Sequence, residues 1–91
     1  MSVFCYIVEC ADGTYYTGWS TDPDRRARQH NRGAGARYTR TRRPVRLIYV
    51  EPQPDRAAAL KRERRLKQMT HQQKSDLAHC QPSASSPTDP A

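Results

Sequence analysis

Five widely separated side chains in this sequence carry groups that could act together on a phosphate ester. They are Tyr6, Tyr16, Arg26, His30 and Glu63. A guanidinium offers planar donors to phosphate oxygens, and an imidazole exchanges protons near neutral pH. A carboxylate can hold a divalent cation that polarises the phosphate. If the fold brings these groups together, they could support metal-assisted chemistry on a phosphate ester.

Each of these side chains also has an ordinary structural explanation. Either tyrosine could simply pack its ring on a sheet, and Arg26 is one of many arginines. His30 lies near the expected end of a helix, where it could complement the helix dipole. Only their joint arrangement would favour chemistry over packing.

A hairpin is needed to bring Tyr6 and Tyr16 together. Residues 3–8 form a continuous apolar run, which is typical of a strand buried on both faces. We expect a three-residue turn, Ala11-Asp12-Gly13, and a second strand over residues 14–17. This turn pairs Val8 with Tyr16 and makes Tyr6 and Tyr16 diagonal neighbours on one face, whereas a two-residue turn would separate them.

A helix is needed to place Arg26 and His30. Asp22 is a typical capping residue and Pro23 suits the first helical position, so we expect a helix to about residue 32, ending at Gly33. Arg26 and His30 are four residues apart and would share one face. A basic loop over residues 33–43 and a strand over residues 45–50, ending before Pro52, should follow.

A second long helix, predicted over residues 56–69, carries an acid where an apolar residue is expected. Its apolar stripe is Ala59, Leu60 and Leu66, and Glu63 lies within it, while the neighbouring Arg62 should point outward. A carboxylate is costly to bury unless it is paired or bound to a metal. Glu63 therefore either forms a salt bridge with an arginine at the rim or holds a cation. Thr70 and Gln73 form a capping box for a last helix ending near residue 78.

The middle of the chain is strongly basic and carries charges of one sign only. Between Arg25 and Val50 there are nine arginines and no carboxylate, and the formal net charge of the whole chain is +7. Such a block favours a polyanionic partner, with nucleic acid expected ahead of an acidic membrane surface. We expect nucleic-acid contacts in the basic loop, from phosphate-binding cations and one stacking ring. These residues are Arg37, Tyr38, Arg40, Arg42 and Arg43.

The remaining features of the sequence predict the extent of the domain and the cellular compartment of the protein. We expect one α+β domain over residues 1–78, a small three-stranded antiparallel sheet flanked by helices, and a disordered tail over residues 79–91. There is no apolar run long enough for a transmembrane helix, and no signal peptide is expected. Cys5, Cys10 and Cys80 form no disulfide framework, which is typical of a cytoplasmic protein.

These residues together resemble the GIY-YIG nuclease domain, and in particular its short stand-alone, YhbQ-like branch. Phe4-Cys5-Tyr6 corresponds to the GIY element and Tyr16-Thr17-Gly18 to the YIG element. Arg26 and His30 match the Arg-x-x-x-His of the first helix, and Glu63 matches the single metal-binding glutamate. The glycine and isoleucine of the first motif are absent, and Trp19 stands where some relatives carry a lysine.

The resemblance implies a Mg²⁺-dependent endonuclease, with Mn²⁺ as an alternative metal at Glu63. It implies a tyrosine as the general base, with Tyr16 preferred over Tyr6, and His30 either bonding a tyrosine or helping the proton to leave. We expect structure-selective cutting of branched, nicked or single-stranded DNA in repair or recombination. The alternatives are a non-catalytic nucleic-acid-binding module and an accessory subunit that needs a larger protein partner for targeting.

Overall fold

The computed structural model describes residues 2–79, so Cys80 and all but the first residue of the predicted tail lie outside the described part. Strands and helices follow one another in an order that leaves only short connections. The elements are β1 (Val3–Glu9), β2 (Tyr15–Ser20), α1 (Pro23–Asn31), α2 (Arg37–Arg40), β3 (Arg46–Gln53), α3 (Arg56–Lys67) and α4 (His71–His79).

The sheet has three antiparallel strands with β1 in the centre, in the order β2-β1-β3, which confirms the predicted architecture. Strand β1 is buried on both faces, as its apolar run predicts. Cys5 on one face packs with Ala59 and Leu66 of α3. Tyr6 and Val8 face the other side, where α1 covers them. The sheet therefore separates two small cores, one under α1 and one under α3.

The β1–β2 hairpin has the predicted three-residue turn. The amide of Cys10 donates to the carbonyl of Thr14 at 2.8 Å, Gly13 adopts a φ of +87°, and Val8 pairs with Tyr16. The predicted end of β2 at residue 17 is wrong, because the strand continues to Ser20. The central strand offers partners along its whole length, so Gly18 still pairs with Tyr6.

Two further predicted boundaries in the middle of the chain are wrong. Strand β3 does not end before Pro52 but runs through it to Gln53. It is an edge strand, where a residue without an N–H is tolerated. The predicted basic loop contains the helix α2, which is only four residues long and therefore too short to show helical periodicity.

Helix α3 turns a different face to the sheet than its sequence predicts. Ala59 and Leu66 are fully buried, but Leu60 is 42% exposed, so its place in the apolar stripe is wrong. Leu60 is rotated by about 100° from Ala59, which takes it off the face centred on Ala59 and Leu66. The helix ends at Lys67, two residues earlier than predicted.

The capping box before α4 is present as predicted. Thr70 Oγ1 accepts from the Gln73 amide at 3.1 Å, and Gln73 Oε1 accepts from the Thr70 amide at 2.9 Å. Cys5 and Cys10 are free thiols buried on opposite faces of the sheet. Among residues 2–79, no helix is both long and apolar enough to cross a bilayer.

A cluster of hydrogen bonds fixes α3 to the edge strand β3. Arg62, which was expected to point outward, instead reaches Glu51 with Nε–Oε2 and Nη2–Oε1 distances of 2.7 and 3.0 Å. The hydroxyl of Tyr49 and the amide of Gln53 also donate to this carboxylate. These bonds lower the pKa of Glu51 although burial, the largest single influence, raises it. The cluster sets the position of α3 on the sheet, and hence the position of Glu63.

We expect Arg62→Ala to lower the free energy of unfolding by about 2 kcal/mol, because two hydrogen bonds to a half-buried carboxylate are lost. Urea denaturation of wild type and variant measures the difference. Arg64→Ala, which removes an exposed arginine from the same helix, is the matched control and should change stability by less than about 0.5 kcal/mol. Equal stability of Arg62→Ala and wild type would contradict the anchoring role.

Candidate active site

Helix α1 presents Arg26 and His30 on one face. The helix begins where Oδ1 of Asp22 accepts a hydrogen bond from the Arg25 amide at 3.1 Å, with Pro23 as its first residue. His30 is fully buried, whereas Arg26 is only half-buried. The helix therefore delivers an imidazole into the core and a guanidinium to the edge of the same core.

The imidazole of His30 meets the phenol of Tyr6 from the central strand. The Tyr6 hydroxyl lies 3.0 Å from Nε2 of His30, and the two side chains are 1% and 0% exposed. Gly18, opposite Tyr6 on β2, makes room for this phenol, because a Cβ there would lie 2.7 Å from the hydroxyl oxygen. The glycine of Tyr16-Thr17-Gly18 thus has a packing role in the site.

Tyr16 lies on the same face of the sheet as Tyr6, as the three-residue turn predicts, and it also lies against the imidazole of His30. Its ring meets His30 edge-on, with 5.2 Å between centroids. Tyr16 is half-buried, and its hydroxyl makes no hydrogen bond to residues 2–79. The two tyrosines therefore differ: Tyr6 is buried and hydrogen-bonded, while the Tyr16 hydroxyl has no protein partner in the described chain.

The protonation states of the pair follow from their burial. Burial raises the pKa of Tyr6 to about 12, with smaller contributions from Tyr16 and Glu63, while the neighbouring guanidinium of Arg26 opposes the rise. Burial, together with the positive charge of Arg26, lowers the pKa of His30 below its ordinary value of 6.5. At neutral pH the site therefore holds a protonated phenol beside an uncharged imidazole.

Glu63 approaches from α3, on the other face of the sheet. Its side chain is 19% exposed, and its one ion pair in the described chain is with Lys67, at 3.6 Å along the same helix. The expected arginine partner is therefore replaced by a lysine. Among residues 2–79, Glu63 makes no hydrogen bond to Tyr6 or Tyr16, but its charge contributes to raising the pKa of both Tyr6 and Cys5. Four residues of the predicted set, Tyr6, Tyr16, Arg26 and His30, thus lie together, and the charge of the fifth, Glu63, affects Tyr6.

The donor set around Glu63 fits one kind of metal better than others. Among residues 2–79, no group of three or more His, Cys, Asp or Glu side chains could hold a metal ion together. Zinc sites need three or four such ligands. Mg²⁺ keeps several waters and is commonly held by one or two carboxylates plus substrate phosphates. A single, weakly paired carboxylate at Glu63 therefore fits a largely hydrated Mg²⁺.

Arg26 opens onto a cleft of about 550 Å³. Arg25 and Arg56 add two more guanidiniums to its walls, and Arg56 lies over the ring of Trp19 with 5.7 Å from Cζ to the ring centroid. The cleft is large enough for a nucleotide, and its cations suit phosphate. Sequence reasoning did not assign Arg25 or Arg56 to the site. Arg25 is one residue from Arg26 and was expected to point away from the face that Arg26 shares with His30, and Arg56 belongs to no motif.

The structure divides the predicted nucleic-acid contacts into two groups. Arg42 pairs with Asp12 at 3.1 Å and lies 4.0 Å above the ring of Tyr38. Arg43 donates to the backbone carbonyl of Arg40 at 2.9 Å. The side chains of Arg37 and Arg40 are exposed and make no ion pair within residues 2–79. Arg42 and Arg43 thus hold the loop together, while Arg37 and Arg40 face solvent.

Tyr38 connects this loop to the site. It is 37% exposed, and its ring centroid lies 6.0 Å from that of Tyr16. One face of the ring is covered by Arg42. The basic loop therefore lies next to the ring of Tyr16, which in turn contacts His30.

Two further residues of the site were given no role by sequence reasoning. Thr39 is fully buried, with its hydroxyl 2.8 Å from Nδ1 of His30. Gly35 lies so close to the same ring that a Cβ would be 2.1 Å from Nδ1. Both belong to the Gly-Ala-Arg-Tyr-Thr stretch, and their contact with His30 depends on how that stretch folds back over α1.

Comparison with known proteins decides the family. The family model of the GIY-YIG catalytic domain matches residues 2–76. The chain belongs to the GIY-YIG family. This is a family of DNA endonucleases, and the matched region contains all five residues that carried the resemblance in sequence.

Relatives within the GIY-YIG family are short proteins of similar length. A UPF0213 protein of Haloquadratum walsbyi is 51% identical over 75 residues, covering 82% of this chain and 84% of that one. A UPF0213 protein of Staphylococcus aureus is 51% identical over 73 residues, covering 80% and 89%. The short stand-alone branch predicted from the motifs is thereby confirmed.

Two solution NMR structures share this GIY-YIG fold. The UPF0213 protein BH0048 of Bacillus halodurans is 38% identical, with a TM-score of 0.57 and coverage of 91% of this chain and 88% of that one. Protein EF2693 of E. faecalis is 41% identical, with a TM-score of 0.59 and coverage of 87% and 84%. The sheet and helices described above are thus shared with experimentally determined structures.

We expect Gly35→Ala to displace the His30 ring, because the new methyl group would overlap Nδ1. The free energy of unfolding should fall by about 1–3 kcal/mol, as is usual for overpacking a filled site, and urea denaturation measures the change. Ala34→Ser adds one heavy atom at the neighbouring exposed position and should be close to neutral. A Gly35→Ala protein as stable as wild type would show that His30 does not pack as described.

Proposed function

We propose that this protein is a Mg²⁺-dependent DNA endonuclease that cuts branched, nicked or single-stranded DNA. The observation that carries the proposal is the 3.0 Å contact between the Tyr6 hydroxyl and Nε2 of His30, with Arg26 beside it. A fully buried polar pair next to an open cationic cleft is unusual for a purely structural core. It supplies a proton acceptor next to a place where a phosphate can bind.

The protein groups can move a proton away from an attacking water. Because the pKa of Tyr6 is raised to about 12, a standing phenolate is disfavoured at neutral pH. The uncharged His30 offers another route: the Tyr6 oxygen takes a proton from water while the phenol proton passes to Nε2. The water becomes hydroxide, Tyr6 remains a phenol and His30 becomes an imidazolium, so protons and charge balance.

This route favours Tyr6 over Tyr16 as the residue that receives the proton of water. A phenol can accept a proton at neutral pH only if its own proton has an acceptor, and Tyr6 has one in His30. The hydroxyl of Tyr16 has no such partner within residues 2–79. We assign Tyr16 to the wall of the site, where its ring holds the imidazole edge-on.

Arg26 and Glu63 would bind and polarise the phosphate group. The guanidinium of Arg26 is held by a 3.2 Å hydrogen bond to Gln29 and opens onto the cleft, where it can donate to non-bridging oxygens. Glu63 would hold Mg²⁺, with Mn²⁺ as a substitute, and the chemistry supplied there is polarisation of the phosphate and stabilisation of the leaving oxygen.

The surface supports DNA as the substrate without favouring a particular base sequence. Arg37 and Arg40 are exposed on α2, Tyr38 on the same helix contacts Tyr16, and Arg25 and Arg56 line the cleft. These groups contact phosphates and stack on bases but show no pattern for reading base edges. We therefore propose structure-selective cutting in repair or recombination, in the cytoplasm, where buried free thiols such as Cys5 remain reduced.

Labelled flap, splayed and single-stranded DNA, offered with Mg²⁺, Mn²⁺ or EDTA, test the proposal. We expect wild type to cut at least one substrate with either metal and not with EDTA. Glu63→Gln should lower the single-turnover rate by at least about 100-fold while DNA binding survives, because the metal ligand is lost but the basic surface is kept. Binding and cutting are measured on the same substrates by mobility shift and gel assays.

The matched control is Asp76→Asn, which neutralises an exposed carboxylate on α4 and should cut as wild type does. Binding without cutting by pure wild-type protein would favour a non-catalytic module or an accessory subunit. Undiminished cutting by Glu63→Gln would show that the metal ligand is assigned wrongly.

The pH dependence of cutting separates the two proton routes. The pKa of His30 is lowered, so its uncharged form persists to below pH 6.5. We expect the single-turnover rate to be nearly constant from pH 8 down to about 6.5 and to fall about tenfold per unit once His30 protonates. A rate that instead keeps rising tenfold per unit from pH 7 to 9 would indicate a phenolate base and contradict the relay.

A further inference from the structure

Thr39 is a buried polar residue that the mechanism above does not use. It lies on the four-residue helix α2 and is 0% exposed. Its hydroxyl oxygen lies 2.8 Å from Nδ1 of His30 and 2.9 Å from the carbonyl oxygen of Ala36. A fully buried hydroxyl between an imidazole nitrogen and a carbonyl oxygen limits which ring nitrogen can carry the imidazole proton.

The proton count selects one tautomer of His30. A carbonyl oxygen can only accept, so the single proton of the Thr39 hydroxyl points to Ala36. Thr39 Oγ1 then presents only lone pairs to Nδ1, and Nδ1 must carry the imidazole proton. The free lone pair of the uncharged ring therefore lies on Nε2, the atom that faces the Tyr6 hydroxyl at 3.0 Å.

One contact favours the opposite tautomer but is weaker. The amide of Ala36 lies 3.3 Å from Nδ1 and could donate to it. That arrangement would turn the Thr39 hydroxyl away from the Ala36 carbonyl, 2.9 Å away, and place an N–H on the side of Tyr6. The neighbouring Arg26 is a donor only, so the Tyr6 proton would lose its acceptor. The hydrogen bonds of Thr39 to Nδ1 and to the Ala36 carbonyl are shorter than the contact between the Ala36 amide and Nδ1. They also leave the Tyr6 proton with an acceptor, so the Nδ1–H tautomer is favoured.

We infer that Thr39 is a positioning residue that holds His30 in the Nδ1–H tautomer, so that Nε2 can accept the proton of Tyr6. Its effect on the rate rests on the proposed nuclease function, whereas its effect on the tautomer does not. Gly35 supports the same arrangement by letting the backbone approach the ring closely. The same hydroxyl remains an acceptor for Nδ1–H when the ring becomes an imidazolium.

The tautomer is measured directly by long-range ¹H–¹⁵N NMR of protein labelled at histidine nitrogens, at a pH where His30 is uncharged. We expect wild-type His30 to show a protonated Nδ1 and an unprotonated Nε2. Thr39→Ser keeps the hydroxyl and should keep this pattern. Thr39→Val keeps the shape but removes the hydroxyl, and should show a mixture or the opposite tautomer.

The single-turnover cutting rate provides the second readout on the same proteins. Thr39→Val should lower the rate by about 10- to 100-fold, in the range seen when a partner that orients a histidine is removed, and Thr39→Ser should recover most of it. Thr41→Val, which removes an exposed hydroxyl two residues away, should leave both readouts unchanged.

The outcomes separate this inference from the proposed function. A protonated Nε2 in wild type, or an unchanged tautomer in Thr39→Val, would overturn the inference even if the protein cuts DNA. A wild type that shows the predicted tautomer, lost in Thr39→Val, but cuts no DNA would support the positioning role and reject the nuclease. If Thr39→Val does not fold, the wild-type tautomer and the cutting rate of Thr39→Ser still test whether Thr39 positions His30.

Discussion

The hydrogen bond between Tyr6 and His30 is the constraint on which the rest of this small structure depends. Both groups are almost completely buried, and a buried polar group without a partner costs about 1–3 kcal/mol. Strand β1 and helix α1 must therefore keep the spacing that this bond requires. Gly18 and Gly35 are glycines because the phenol and the imidazole occupy the space of their side chains. Thr39 completes the shell by binding the second ring nitrogen.

The candidate site residues come from elements on both faces of the sheet. On one face, α1 brings Arg26 and His30 against Tyr6; on the other, α3 carries Glu63, and the bonds between Glu51 and Arg62 hold α3 in place. The charge of Glu63 is nevertheless felt at Tyr6. A sheet of three strands is narrow enough for the charge of a carboxylate on one side to influence a phenol on the other. In a chain of this size, buried residues such as Tyr6 and His30 belong to both the core and the candidate active site.

Local rules predicted most of the fold and the proximity of several candidate site residues. The three-residue turn and strand parity placed Tyr6 and Tyr16 on one face, and caps such as Asp22 set the helix starts. The errors arose where tertiary contacts override local signals: an edge strand tolerates Pro52, and Leu60 is rotated away from the sheet. Thr39 could not be assigned from sequence, because its role exists only after α2 folds back against α1. The reversal of preference between Tyr16 and Tyr6 likewise rests on a hydrogen bond that no spacing reveals.

We propose that Glu63 and the Tyr6–His30 pair act on the same phosphodiester in one step. A double-mutant cycle with Glu63→Gln and His30→Gln, read as single-turnover cutting rates, tests it most directly. Groups that act as a unit give strongly non-additive effects. We predict that each single variant is severely slowed and that the double variant is about as slow as the slower single variant. Fully multiplicative losses, or a single variant that cuts as fast as wild type, would contradict the claim.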